Sequence, residues 1–353
     1  MNNSTPRLKA IAGLALCTAC AMAQPGWAES PARVALSIDN DMFAPGGLDR
    51  DYTGGARMAA TTAADPGMLR PGERLLSWID HVGALDRWSR DNEAQSVDKT
   101  FSFGLLAFAP DNLAATDPIE GERPYANLLY AAHSRFTPSP DGHSALQSTL
   151  TVGLLGAPVA EWAHQSIHRT TGATVPRGYS NQLSDGGEVT ARYAAALHRF
   201  LLVRNGELDR DVRVRIDGSA GFITGIGSSV TARIGRFNAG GWSLRSEQAD
   251  YLSQAYVAPP LRGGDWIAWA SVGIQAQLHN AFLHGQFRNR GTALSRSQTR
   301  TAIAEWGVGL SWSIGRATTV DYALRGRSRE VTTATGGRSM RWGSITITHY
   351  PSR

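Results

Sequence analysis

Apolar and polar residues alternate with a period of two along most of this chain, the pattern of strands with one apolar and one polar face. In Trp266–Leu278 the even positions are Trp266, Ala268, Ala270, Val272, Ile274, Ala276 and Leu278, while Ser271, Gly273, Gln275 and Gln277 take odd ones. Ala302–Ile314 sets Ala302, Ala304, Trp306, Val308, Leu310, Trp312 and Ile314 against Ile303, Glu305, Gly307, Gly309, Ser311 and Ser313. In Val212–Phe222 the residues Val212, Val214, Ile216 and Phe222 oppose Arg213, Arg215, Asp217 and Ser219. Such runs of about 10 residues or more exceed the usual strand of roughly five or six. Charge on one face, apolar side chains on the other and aromatics near the ends suit a lipid-facing band around a polar lumen.

Strands are expected near 33–43, 51–62, 98–109, 123–137, 145–156, 188–203, 210–223, 227–238, 265–281, 299–314, 317–328 and 340–349. Twelve is an even number, as bacterial outer-membrane barrels require. The fold class is therefore all-β, a twelve-stranded antiparallel transmembrane β-barrel with a short helix in an outer loop. The competing architectures are a secreted β-sandwich and a soluble barrel. With both ends of the chain on the inner side, the outer connections are 44–50, 110–122, 157–187, a short turn near 224–226, 282–298 and 329–339. The segment 63–97 becomes an unusually long inner connection, with an amphipathic helix expected at Glu73–Leu85. The third outer loop should hold a helix that starts after Pro158 and runs to about Arg169, before Gly172.

The beginning of the chain reads as an export signal. Arg7 and Lys9 precede an apolar stretch, Ala10–Ala23, that is too short to cross a bilayer. Cleavage is expected after Ala23, with Ala28 as the alternative, leaving 24–353 as one outer-membrane barrel domain without internal repeats. Cys17 and Cys20 both fall in the signal, so the exported chain offers no thiolate for a disulfide, a metal or a nucleophile. The formal charge of +5 falls to +3 once Arg7 and Lys9 are removed. That near balance and the lack of a Lys/Arg block give no basis for nucleic-acid binding. One discord remains, because Tyr350 is followed by Pro351–Ser352–Arg353, whereas such barrels usually finish on the aromatic residue.

The topology brings scattered polar residues to one rim. Asn40, Asp41 and Thr53 flank the first outer loop, Arg123 ends the second, and His164, Gln165 and His168 lie in the third. Carboxylate, amide and hydroxyl oxygens from Asp41, Asn40 and Thr53 suit Ca²⁺, which takes six to eight oxygen ligands. Asp39 and Asp41 share a strand face and Asn40 points the other way, so this reading demands that the strand bulge or end there. A polar rim meeting lipopolysaccharide phosphates, served also by Arg50 and Arg123, is the alternative. His164 and His168 are i,i+4 neighbours on one helix face. Such a pair suits surface decoration, a zinc pair lacking the Glu of H-E-x-x-H, or a general base for water raised by a nearby carboxylate. No G-x-S-x-G elbow occurs, which disfavours a serine hydrolase. Gly225–Gly227 and Gly307–Gly309 sit in or next to strands, where they thin the wall and do not form phosphate loops.

The ordered motifs resemble the outer-membrane lipid A 3′-O-deacylase family. They read Asp39–Asn40–Asp41, then Asp49, Tyr52, Thr53 and Gly55, then Phe108–Ala109–Pro110, and Glu122–Arg123–Pro124–Tyr125–Ala126. Gly153, Gly156 and Pro158 follow with Gln165 and His168, then Gly178, Tyr179, Gln182 and Leu183 before Asp185–Gly186–Gly187–Glu188. The likeness implies a twelve-stranded barrel and Ca²⁺-dependent hydrolysis of the 3′-O-linked acyl (acyloxyacyl) chain of lipid A. By the same implication His168 activates water, Ca²⁺ is held near Asn40 and Asp41, and Gln165, Arg123 and Thr53 complete the catalytic set. The expected setting is the bacterial outer membrane, with a monomer whose site faces the outer leaflet. Three positions depart from the family pattern. His164 stands where a Gln is common, Asn127 where a Gly is, and Tyr179 where a Trp is. A non-enzymatic small pore, a lipopolysaccharide-binding barrel and an outer-membrane phospholipase are the competing readings.

Overall fold

The computed structural model describes residues 33–47, 49–62, 70–83, 85, 88, 97–242, 261–288 and 291–350. The expected signal 1–23, its alternative end at 28 and the tail 351–353 lie outside them. Twelve antiparallel strands close into one barrel in which each pairs with its sequence neighbours and the first pairs with the last. They are β1 Arg33–Asn40, β2 Asp51–Thr62, β3 Asp98–Ala109, β4 Ala126–Pro138, β5 Ser144–Leu155 and β6 Glu188–Arg204. The second half comprises β7 Asp209–Gly221, β8 Ile223–Arg236, β9 Trp266–Asn280, β10 Ala302–Ile314, β11 Thr318–Arg327 and β12 Met340–His349.

The alternation predicts the wall's two faces. On β10 the residues Trp306, Val308, Leu310, Trp312 and Ile314 are exposed on the outside, whereas Ser311 and Ser313 are buried in the lumen. Gly307 and Gly309 face inward beneath the Trp269 indole, where a Cβ at either would come within 3.0 Å of the ring. Many lumen polar groups are paired, as burial favours. Arg233 holds Asp211 through two bonds of 2.7 and 2.6 Å, and Ser37 bridges Arg57 and Thr346 at 2.7 and 2.8 Å. Toward the outer end the lumen is filled by an apolar cluster that includes Tyr52, Phe108, Leu128, Phe222, Phe282 and Trp342.

Three boundaries differ from expectation for local reasons. β1 stops at Asn40, and Asp41–Phe43 form a 3-10 turn capped by the Asn40 side chain. β4 starts at Ala126 because 123–125 belong to the preceding loop. The outer turn between β7 and β8 is Phe222 alone, not 224–226, because Gly221 takes φ 130°, a conformation reserved for glycine. That reversal swings Phe222 from the expected apolar exterior into the lumen cluster, where it is 1% exposed.

Two helices lie against the outside of the wall. Helix α1, Arg70–Val82, starts three residues before its expected position in the long inner connection. Its Glu73 meets His133 at 2.5 Å and Lys99 at 3.3 Å, and its Asp80 accepts from Ser148 at 2.8 Å and Tyr193 at 2.6 Å. All four partners sit at outward positions of β3–β6, opposite in phase to lumen residues such as Ser134 and Thr149. Helix α1 therefore turns its polar edge to the barrel and leaves Leu75, Trp78 and Val82 exposed on its far side. That is the reverse of a water-facing helix and suits a helix lying in a lipid interface. Helix α2, Pro158–Thr171, begins with Pro at its first turn and ends at Gly172 with φ 72°. It covers the outer end of the same wall, burying Ala160, His164 and His168 and exposing Val159, Trp162 and Ile167.

If α1 is held by its charges, removing them together in Glu73→Gln/Asp80→Asn frees it. Charge-assisted bonds contribute about 1.5–3 kcal/mol each, so amide hydrogen exchange across 70–82 should accelerate by roughly tenfold or more while the strands stay protected. Unchanged protection of the helix would contradict this docking.

Candidate functional site

The site forms where β1 ends, β2 begins and α2 crosses the wall. Asn40 uses both ends of its amide to set this corner. Its Oδ1 accepts from the Met42 N–H at 2.8 Å, and its Nδ2 donates to the Thr53 carbonyl at 3.0 Å. The pairing of β2 with β3 shifts between Tyr52 and Gly54, so Thr53 is a bulge residue. The end of β1 at Asn40, followed by the 3-10 turn at Asp41, meets the demand that alternation placed on these two residues. The loop then folds back tightly, because an ideal Cβ on Gly47 would lie 2.1 Å from the Asp41 carbonyl oxygen.

Asp49 and Asp51 both adopt left-handed conformations, at φ 48° and 63°, which Asp tolerates better than most residues. The alternating handedness sends them apart. Asp51 joins a charge network on the rim, bonded by Arg338 at 2.8 Å and approached by Arg123 at 3.4 Å. Asp49 turns toward α2. Its Oδ2 lies 2.7 Å from His168 Nε2, its Oδ1 lies 3.8 Å from His164 Nε2, and Thr53 Oγ1 donates to Oδ1 at 2.7 Å.

The helix presents its two histidines with their other ring nitrogens already engaged. His168 Nδ1 lies 2.5 Å from the Thr174 carbonyl, an acceptor only, so Nδ1 carries the proton. His164 Nδ1 lies 2.9 Å from the Tyr179 hydroxyl. Tyr179 is itself fully buried with Tyr125, Leu113 and Ala109. Asn127, 0% exposed, anchors the start of α2 by accepting from the Ala157 N–H at 2.9 Å and donating to Gln182 at 2.6 Å. The family-atypical Asn127 and Tyr179 thus support the loop that carries the histidines.

Electrostatics divide the acids. Burial would raise Asp49, but the two imidazoles and the Thr53 hydroxyl outweigh it and hold its carboxyl well below the usual range. Burial lowers an imidazole, but the Asp49 carboxylate outweighs it and holds His168 above its ordinary value. Asp41 goes the other way. Burial, helped by the negative charge of Asp49, pushes it up to about 8 even though Asp41 accepts the Arg50 N–H at 2.6 Å. Its Oδ1 is buried with no hydrogen-bond partner. A buried carboxylate oxygen left unpaired in this way is costly to ionise, and a hard cation would satisfy it.

The expected site residues separate into two groups. Asn40, Asp41, Thr53 and His168 come together around Asp49. Gln165 does not join them, because its amide donates to Glu161 Oε1 and the Pro176 carbonyl and accepts from Arg169. His164, one residue earlier and four before His168, takes the inward place. Arg123 is 2% exposed and held by Glu330, Asp51 and the Phe108 ring, so it braces the rim from within and has no free surface for a phosphate. Arg50 is partly exposed and pairs with Asp111 at 2.7 Å. Asp49, at the centre of the histidine cluster, is not among the residues the sequence singled out as candidates. Its signal was the run of acids at Asp49 and Asp51 around Arg50, next to Thr53.

A family model described as outer membrane protein LpxR matches residues 11–350. Among solved structures, LpxR from Salmonella typhimurium superposes with a TM-score of 0.69 at 16% identity, covering 90% of this chain and 100% of that one. The β domain of the Bordetella autotransporter BrkA gives a TM-score of 0.37 at 10% identity, covering 91% and 98%. No sequence among curated proteins matches.

Proposed function

The chain belongs to the LpxR family of outer-membrane proteins, and from that premise we propose that it is an esterase removing the 3′-O-linked acyl chain of lipid A in the outer leaflet. The observation that carries the reading is the Asp49–His168 pair, a partly buried carboxylate against a buried imidazole between the outside of the wall and α2, on the side a lipid of the outer leaflet would approach. The filled outer lumen counts against a small pore.

His168 acts as the general base. In the neutral imidazole the proton stays on Nδ1, held by the Thr174 carbonyl, and the Nε2 lone pair faces Asp49. Two acceptors 2.7 Å apart with no proton between them repel, so the neutral site favours a water that donates toward both. His168 Nε2 takes one proton as the water oxygen attacks the ester carbonyl carbon. The bond from that carbon to the 3′ oxygen then breaks, and the imidazolium returns the proton to the departing oxygen, releasing a free fatty acid. Asp49 orients the ring and stabilises the imidazolium, a positioning contribution. Thr53 fixes Asp49 through Oδ1. Asn40 and Asp41 would hold Ca²⁺, which when bound supplies the charge that polarises the carbonyl and stabilises the oxyanion. Arg123 keeps Asp51 and the second outer loop in place. No step requires a covalent acyl-enzyme, in accord with the missing serine elbow.

Mass spectrometry of lipid A from cells expressing the protein tests this directly. Wild type should convert lipid A to a species lacking the 3′ acyl group, and His168→Ala should lower the rate by about 10²–10⁴-fold, the usual contribution of a general base. Intact lipid A with release of fatty acid from glycerophospholipid would establish the phospholipase reading instead. A second prediction concerns Asp41, whose carboxyl stands at about 8. A cation bound there must displace its proton, so Ca²⁺ affinity measured by calorimetry should rise by roughly tenfold per pH unit up to about 8 and then level. A flat affinity between about pH 6 and 8 would remove Asp41 from the ligand set.

A further inference from the structure

His164 is buried, yet the mechanism above gives it no task. Its Nε2 has no hydrogen-bond partner, and it points at the same carboxylate as His168 Nε2. The ligand atoms of Asp49, His164 and His168 all lie within 4.8 Å of one another. We propose that these three residues form a second cation site, selective for a borderline-soft dication of the Zn²⁺ class, whose occupancy takes His168 out of use as a base.

Four features of the cluster favour such an ion. Imidazole nitrogen with one carboxylate suits Zn²⁺ and disfavours Ca²⁺, which takes oxygen ligands. A tetrahedral ion with bonds of about 2.0–2.1 Å needs ligand atoms roughly 3.3 Å apart. His168 Nε2 lies 2.7 Å from Asp49 Oδ2 and His164 Nε2 3.8 Å from Oδ1, and the ligand atoms fall within 4.8 Å of one another, so side-chain rotation would draw them onto one ion. Each ligand also carries an outer partner that fixes it, as metal-bound groups do. The Thr174 carbonyl holds His168 Nδ1, the Tyr179 hydroxyl holds His164 Nδ1, and Thr53 holds Asp49 Oδ1. Three protein ligands leave a fourth position open to water, the pattern of an accessible zinc site.

The site differs from the Asn40–Asp41 oxygen site in donor type and in position on the rim. The new site acts on the reaction through His168, since a coordination bond at Nε2 uses the lone pair that would accept water's proton. The consequence for activity rests on the proposed esterase reading, but binding does not.

Binding of Zn²⁺ alone to the mature protein in detergent, followed by competition with a chromophoric chelator, is the test. Folding of every variant is checked by heat-modifiable mobility. Wild type should take up one Zn²⁺, and His164→Gln should weaken it by at least about 100-fold, beyond the roughly 10–100-fold that losing an outer partner costs. Asp49→Asn gives an independent second variant with the same expected direction. Equal affinity in wild type and both folded variants would overturn the site. Where lipid A deacylation is measurable, added Zn²⁺ should suppress it at the concentration that fills the site, and stimulation would overturn the shut-off. A protein with no deacylase activity but with His164-dependent Zn²⁺ binding would refute the esterase reading and leave the metal site standing.

Discussion

Asp49 links two parts of the chain that lie more than a hundred residues apart, and the outer rim is organised around its carboxylate. It stays ionised only because His168, His164 and Thr53 surround it, and those groups hold their places partly because it is there. A partly buried carboxylate without those partners would be costly, and a buried imidazolium without the carboxylate equally so. The first outer loop and α2 are therefore tied electrostatically, while Asn127 ties the start of that helix to β4. The left-handed turn at Asp49 and the bulge at Thr53 are the backbone devices that make the geometry possible.

Strand phase decides which medium the site meets. Among the described residues, lumen positions carry buried Arg–Asp pairs and an aromatic filling, so the outer lumen is occupied by the protein's own side chains. Asn127, α2 and the histidines belong to the outside of the wall. For the proposed esterase that placement is an advantage, because an ester anchored in the outer leaflet need not leave the membrane to be cut. The exposed Val159, Trp162 and Ile167 on the far side of α2, like Leu75, Trp78 and Val82 on α1, fit a surface meeting lipid. The polar patch on the exterior of β3–β6 is tolerable in that setting because α1 covers it with Glu73 and Asp80.

Much of the fold was legible in the sequence because a period of two is a property of the strand itself. All twelve strands lie within a few residues of the expected ranges, and the rim convergence follows from counting crossings. The failures came where a single residue changes direction. Gly221 turned Phe222 inward, which no alternation could forecast. Helical spacing placed His164 and His168 on one face but could not say which face meets the wall, so Gln165 was grouped with them although its amide points to Glu161 and Pro176. Amphipathicity likewise revealed two sides of α1 without revealing that the polar side meets the barrel. Arg123 read as a rim cation because its pairing with Glu330 spans 207 residues. The demand that the strand end or bulge at Asn40 was legible, and the strand ends there.

The most direct measurement is the titration of His168 by NMR in detergent-solubilised protein carrying isotope-labelled histidine. The account predicts that His168 titrates above the ordinary 6.5 and that Asp49→Asn brings it down to or below that value. A His168 that titrates at or below the ordinary value in wild type, or that ignores the Asp49 substitution, would contradict the pairing on which the site is built.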